Sequence, residues 1–347
     1  MSIKEVAKRA GVSIATVSRT INVPQKVHPR TVERVRRAIE KLGYRPNLTA
    51  RALKTGHTNL VGLVVPDLVH SFFAELARGL SGILREEGIS VVIASSEEDP
   101  ALEQATIDHL LDRGVDALLV ASVQLNKGTF QKITKQKVPF ILVDRVISGL
   151  SANFVGVKDE TVGYIATEHL IQVGCRTVAH ISGTRISTAV GRLAGYKRAI
   201  KEYGFSFSPD HIVTVEKQDE SGDVAGYRAA MKLLSLPERP DGIFCFNDPI
   251  AIGAMNAILA KGLRIPEDIA LIGSGNLHFD DALRIPLSTV DQCSELIGQR
   301  AALLAMNLIE AKSSMSPKTV FLTPKVVVRE STKRPSADSI SKISGQR

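Results

Sequence analysis

Two periodicities divide the chain. Up to about residue 45, apolar positions recur every three or four residues, the spacing of one helix face. Beyond Asn59 they come in short unbroken runs separated by amphipathic stretches. In the first part, Ser2 and Glu5 make a capping box that starts a helix near Ile3, with Val6 and Ala10 on one face. Gly11 supplies the positive φ of a sharp turn. Ser13 then caps a second helix over Ile14–Ile21, with Val17 and Ile21 inward and Ile14, Ala15, Ser18 and Arg19 outward. A third helix is predicted from about Pro29 to Leu42, where Val32, Val35, Ile39 and Leu42 close a three-helix core. Pro46 stops that helix, and Asn47 can cap a short one, Leu48–Lys54, that is marginal alone in water.

In the second part, strands are predicted at 60–65, 89–95, 116–121 and 139–144, alternating with helices at 72–87, 100–113 and 127–137. After the link Ser148–Ala152 a second set follows. Its strands are at 154–157, 176–182, 212–215, 241–246 and 268–273, and its helices at 159–173 (capped by Asp159), 189–203, 222–236 and 248–261. A strand-like segment at 286–292, a helix at 294–311 and one strand at 319–328 should cross back between the two sets. Continuous apolar strands between helices mean parallel sheets covered on both faces. The fold class is therefore α/β, an all-α helix-turn-helix head followed by a two-lobed core. The expected divisions are a head at 1–45, a hinge helix and linker at 46–58 and a core at 59–330. Within the core the lobes span roughly 59–150 and 151–285, and 286–330 crosses between them. The polar, Ser-rich tail at 331–347 is expected to be disordered, and it lacks the apolar heptads of a tetramerisation coil.

Charge sharpens this division. The net charge is +8, yet residues 1–57 hold 13 Lys/Arg against 3 Asp/Glu and the remainder 31 against 33. A basic segment on a near-neutral body is the footprint of nucleic-acid binding. A short second helix with small, apolar and Arg side chains outward suits the major groove, where Arg pairs with guanine and methyl groups meet thymine. The longest apolar runs are strand-length, so no membrane partner is indicated, and the N-terminal residues are charged rather than an apolar leader. A cytoplasmic, nucleoid-associated protein is expected. Cys175, Cys245 and Cys293 have no paired spacing, which argues against disulfides or a metal, and no cofactor is indicated. No nucleophile elbow, HExxH, P-loop or dinucleotide fingerprint occurs, so an enzyme is not expected. His180, inside an apolar strand, reads as a core residue.

Ligands of open α/β sheets bind beyond the C-terminal strand ends. Those ends offer Asp67, Phe72, Phe73, Ser95, Ser96, Asp144, Arg145, Asp159, Arg192, Asn247, Asp248, Asn276 and Gln292. Carboxylates and amides bond hydroxyls, and rings cover an apolar face, so the set suits a polar polyhydroxy molecule. Two have structural alternatives: Asp144 as a strand end and Asp248 as the N-cap of its helix.

The segments VSIATVSRTIN, YRPNLTARAL, VGRLAGYKRA, DGIFCFNDPIAIGAM, GLRIPEDIALIG and IPLSTVDQ occur in the order found in the LacI/GalR family of bacterial transcription regulators, which the chain resembles from Ile3 to about Glu330. The resemblance implies a core like that of periplasmic sugar-binding proteins, and a homodimer whose heads bind the half-sites of a pseudo-palindromic double-stranded operator DNA. It places DNA contacts on Ile14, Ala15, Thr16, Ser18, Arg19 and Asn22. Asn47, Ala50 and Leu53 would form a hinge helix, with Leu53 wedged into the minor groove. Ligand residues carry over to Phe72, Arg192, Asn247 and Gln292. Two departures stand out. Gly273-Ser274-Gly275-Asn276 lacks the carboxylate usual there, and Lys158-Asp159 stands where the family has Asp-Asn. An anion lost and a cation gained point to a sugar acid rather than a plain sugar as the small-molecule effector. The expected function is an effector-controlled regulator, a repressor; the alternative is a solute-binding protein with a non-functional head.

Overall fold

A computed structural model describes residues 1–44, 56–215, 222–311 and 316–334. The hinge helix expected from Leu48 to Lys54, with Asn47, Ala50 and Leu53, lies outside the described residues. The chain forms two compact units, residues 1–58 and residues from Asn59 onward.

In the first unit, α1 (Ile3–Ala10) begins at the capping box: Glu5 N donates to Ser2 Oγ, and Ser2 N donates to Glu5 Oε2 at 2.7 Å. Gly11, at φ +61°, ends it in the left-handed conformation. The helix α2 (Ile14–Asn22) starts at Ser13, whose Oγ accepts from Thr16 N at 3.1 Å. The helix α3 (Pro29–Leu42) ends at Gly43, also left-handed. Val6, Ala7, Ala10, Val17, Val35 and Ala38 form the core. Burying each Val side chain stabilises by roughly 1.5–3 kcal/mol, enough to hold three helices that are individually too short to persist. Thr20 also turns inward, which apolar periodicity does not register, because its Oγ1 is satisfied by Thr16 O at 2.8 Å. Val32 is half-buried and outside this cluster.

The second unit contains two six-stranded sheets. The first holds β1 (Leu60–Val65), β2 (Ser90–Ser95), β3 (Ala117–Val120), β4 (Phe140–Val143), β5 (Asn153–Val157) and β11 (Thr319–Leu322), all parallel, in the order β11-β5-β4-β3-β1-β2. The second holds β6 (Val178–Ser182), β7 (Ile212–Thr214), β8 (Gly242–Cys245), β9 (Ala270–Ser274), β10 (Ser288–Asp291) and β12 (Lys325–Val327), in the order β12-β10-β9-β8-β6-β7, with β12 antiparallel. The helices are α4 (Ser71–Glu86), α5 (Pro100–Asp112), α6 (Gly128–Gln136), α7 (Asp159–Gln172), α8 (Ser187–Glu202), α9 (Gly222–Leu234), α10 (Asp248–Ala260) and α11 (Ser294–Glu310).

Three details differ from the sequence expectation. Strand β5 belongs to the first sheet, pairing Ile141 with Asn153 in parallel, so the lobes do not divide at 151. The link before it is too short to leave the sheet, and β5 pairs with its predecessor. The chain crosses at Lys158 instead, returns after β10 through Cys293 into α11, and crosses again between β11 and β12. Helix α11 lies against α4 so closely that a Cβ on Gly79 would collide with the Glu295 carbonyl. The single strand predicted at 319–328 is broken at Thr323-Pro324 into two, one for each sheet. Within the described residues the start of the tail, Ser331 to Arg334, is ordered. Ser331 and Thr332 are fully buried; Ser331 Oγ donates to Leu271 O at 2.6 Å and accepts from Ser288 N at 2.8 Å. A polar stretch can dock when its hydroxyls meet buried backbone groups.

Candidate DNA-reading helix and ligand cavity

In the first unit, α2 presents Ile14, Ala15 and Arg19 to solvent, with Ser18 and Thr16 half-buried beside them and Asn22 exposed at the end. Ile14 is 44% exposed on the face opposite the fully buried Val17, so its methyl groups are open to a partner surface. Thr16 Oγ1 lies 2.9 Å from Ser13 Oγ, and Asn22 Nδ2 donates to Ser18 O at 2.8 Å. These local bonds hold the polar side chains in fixed rotamers along one face. Arg30, Arg34, Arg36 and Arg37 of α3 are exposed.

In the second unit a cavity of about 780 Å³ is enclosed by the C-terminal strand ends of both sheets, within the range of small-molecule sites. Asp67, Phe72, Phe73, Asp144, Arg192, Asn247 and Gln292 line it. On the first wall, Asp144 has φ +62°, a conformation rare for a side-chain-bearing residue. This turn at the end of β4 lets both Asp144 and Arg145 reach the cavity. Arg145 makes a fork-to-fork pair with Glu98, Nη1 to Oε2 at 3.0 Å and Nη2 to Oε1 at 2.7 Å, and its Nε is buried without a partner, 3.8 Å from Asp144 Oδ2. Burial pushes the Asp144 carboxyl up, against the pull of Arg145. Phe72 and Phe73 meet edge to face with centroids 5.2 Å apart, and the Arg145 guanidinium lies 6.0 Å from the Phe73 ring.

On the second wall Arg192, buried on α8, donates from all three nitrogens: Nε to Asp159 Oδ1 at 3.1 Å, Nη1 to Phe246 O at 2.6 Å and Nη2 to Gln292 Oε1 at 2.7 Å. It also sits 4.6 Å from the Phe246 ring, and Gln292 Nε2 donates to Ser274 Oγ at 3.1 Å. Asp159, expected to cap α7 and to touch ligand, does not cap the helix and does not line the cavity. The N-cap is Lys158, and the Asp159 carboxylate is spent on Arg192 outside the cavity lining. Asn247, not Asp248, caps α10, its Oδ1 accepting from Ile250 N at 3.0 Å.

Asp248 is fully buried beneath this wall. It accepts from Thr289 Oγ1 at 2.6 Å and stands beside buried Asp280, whose oxygens meet no protein donor. Burial, then the charge of Asp248, pushes Asp280 up to about 9, so its carboxyl stays protonated near pH 7. A Cβ at Gly273 or Gly275 would collide with the Asp248 carboxyl, which accounts for the Gly-Ser-Gly run. Asn276, expected at the site, does not line the cavity: its Oδ1 accepts from Arg329 Nη2 at 2.7 Å. The cation expected at the cleft is also elsewhere, with Lys158 Nζ 5.5 Å from the Phe321 ring. His180 is a core residue, stacked on Phe244 at 4.5 Å with Nδ1 3.0 Å from Phe244 O.

Several lining residues had no sequence signal. Glu98 stood in the charged run 97–99, which reads as solvated loop, and His70 in the link before α4. Phe246, Thr188 and Ser274 are ordinary strand-end or helix residues until the fold converges them. Among the described residues no helix is long and apolar enough to cross a membrane, and no His/Cys/Asp/Glu group is arranged to hold a metal ion.

Comparison with known proteins gives the same division. Residues 2–47 match the model of bacterial regulatory proteins of the lacI family, and residues 58–328 that of periplasmic binding proteins and the sugar binding domain of the LacI family. The HTH-type transcriptional repressor PurR of Histophilus somni (strain 129Pt) is 32% identical over 96% of this chain and 99% of its own length. Catabolite control protein A of Priestia megaterium is 31% identical over the same shares. Among solved structures, the Lac repressor bound to ONPG superposes with a TM-score of 0.83 at 25% identity, covering 95% of this chain and 99% of that one. A complex of the transcriptional regulator CelR with cellobiose gives 0.71 at 29% identity over 95% and 99%. The chain belongs to the LacI family of bacterial regulatory proteins, as a DNA-binding transcriptional repressor with an effector-binding domain.

Proposed function

We propose that the protein represses transcription as a homodimer on a pseudo-palindromic operator, and that a neutral polyhydroxy molecule in the cavity controls it. The observation that carries the effector class is the charge balance of the lining. Among the described residues Asp67, Glu97, Glu98, Asp144 and Asp223 face two arginines, and both arginines are already paired. With Lys158 turned to Phe321, the described lining residues hold no cation without an acidic partner, which weakens the sugar-acid expectation. Phe72, Phe246 and Phe279 offer apolar faces, as a sugar ring needs. The CelR neighbour is a cellobiose complex, which agrees with this class.

Base reading falls to Ile14, Ala15 and Arg19, positioned by Thr16, Ser18 and Asn22, with Leu53 as the minor-groove wedge between Asn47, Ala50 and the operator backbone. Two measurements test the reading. A gel shift on a pseudo-palindrome with a central CG step should be sequence-specific and weaken with salt; the absence of any specific shift overturns it. In a thermal-shift panel of D-ribose, D-glucose, cellobiose and D-gluconate, a neutral sugar should raise the midpoint most. Preference for gluconate reverses the effector class. Arg19→Ala should cost about 1–3 kcal/mol of discrimination at one base pair, read as a flattened preference in competition shifts.

A further inference from the structure

His70, at the start of α4, and Asn247, at the start of α10, reach each other across the cavity from opposite lobes, with Nε2 and Nδ2 3.3 Å apart. The chemistry of this contact is set from both ends. Phe72 N–H is directed at His70 Nδ1 at 3.3 Å, so Nδ1 is the accepting nitrogen and the proton of the neutral ring sits on Nε2. Burial is the chief cause that lowers His70 to about 4, so the ring is neutral near pH 7. Asn247 Oδ1 accepts from Ile250 N, which turns the amide so that Nδ2, a donor, faces His70. Two donors at this distance make no bond with each other. The other tautomer would let Nε2 accept from Asn247, but it would turn Nδ1–H against the Phe72 N–H. Neither form of His70 satisfies both neighbours, whereas one acceptor seated against Nε2–H and Nδ2–H satisfies all of them.

We propose that His70 and Asn247 together form a two-donor cradle for a single hydroxyl, ring or carbonyl oxygen of the effector, which makes His70 a specificity-determining residue. This rests on the reading that the effector occupies the cavity. The cradle joins the lobes through the ligand: Asn247 is held by α10 of the second, and His70 by α4 and the edge contacts of its ring with Phe72 and Phe73 in the first. Discrimination would be against analogues lacking that oxygen, because both donors would then stay buried and unpaired.

The first test needs no ligand. Long-range 15N–1H correlation on full-length, 15N-histidine-labelled protein, with His70→Gln to assign the signal, should show His70 as the Nε2–H tautomer, unchanged from pH 8 to pH 5. An Nδ1–H tautomer, or titration near 6.5, overturns the cradle. The second uses the panel sugar that raises the thermal midpoint most. His70→Phe, which keeps the ring contacts, should weaken its affinity about tenfold, and His70→Gln, which restores a donor, only about threefold or less. Equal affinity in wild type and His70→Phe overturns the proposal while leaving the effector class intact. If none of the panel binds, the effector class fails and the tautomer alone decides for or against the cradle.

Discussion

The two walls of the cavity each place an arginine against an aromatic ring, and the two arginines are built for different work. Arg192 is bound at all three nitrogens by groups from three parts of the second lobe: the start of α7, the loop after β8 and the loop after β10. Arg145 spends both terminal nitrogens on one carboxylate, Glu98, and keeps a buried Nε free beside Asp144. An arginine held at all three nitrogens positions its surroundings. The family carry-over points to Arg192 as a ligand residue, and the geometry adds that much of its role is to hold the second wall together.

The largest effect expected from that difference is on stability. Arg192→Ala strands the Asp159 carboxylate, the Gln292 carbonyl and the Phe246 carbonyl in a buried site, a change that costs about 3–5 kcal/mol when a buried pair loses one partner. Urea unfolding of the full chain should show it, and Arg192→Lys should recover little, since one ammonium cannot reach three acceptors in the plane of a guanidinium. Near wild-type stability in Arg192→Ala would remove the distinction between the walls.

Beneath the second wall, Asp248 and Asp280 provide the next effect, and its sign can be worked out. Asp280 is raised from the ordinary carboxylate range to about 9 in the folded protein, through burial first and the Asp248 charge second. Its contribution to stability is therefore fully present below about pH 4, where the unfolded chain is also protonated, and is lost as pH rises towards 9. The slope approaches about 1.4 kcal/mol per pH unit for one proton. In Asp280→Asn the amide supplies the donor permanently. The stability difference between variant and wild type should widen in the variant's favour from pH 5 to pH 8.5, read from urea midpoints. Parallel pH profiles would show that Asp280 is not held protonated in the folded protein.

Much of this was legible in the chain, and the failures have a common cause. Capping and periodicity are local, so α1, α2, α3 and β1 lie where Ser2, Ser13, Pro29 and the LVGLVV run put them. What depends on distant partners was not legible. Asp159 has the local signature of a helix cap, but Arg192, thirty-three positions later, claims its side chain. Asn276 occupies a strand end like a ligand residue, but Arg329 takes its carbonyl oxygen. Strand β5 has the pattern of any buried strand, and only pairing decides its sheet. Glu98 and His70 carry no local signal at all, because their roles exist only once Arg145 and Asn247 stand opposite them.

The smallest stability effect belongs to the first wall and sharpens the comparison most. Arg145→Met keeps the aliphatic stem near Phe73 and removes the guanidinium. Glu98 retains partial access to water, its side chain 21% exposed, so the loss should be about 1–2 kcal/mol, well below that of Arg192→Ala. Binding should respond in the opposite proportion. Arg145 and Asp144 both line the cavity, and the Arg145 charge favours the ionised Asp144 carboxyl that a ligand hydroxyl would meet. Removing the guanidinium removes that charge, so the Asp144 carboxyl rises further. Affinity for the best panel sugar should therefore fall about tenfold or more, while the unfolding midpoint moves little. If Arg145→Met instead unfolded the core as severely as Arg192→Ala and left affinity unchanged in the folded fraction, both arginines would be structural. The recognition chemistry would then have to reside in His70, Asn247 and the aromatic faces.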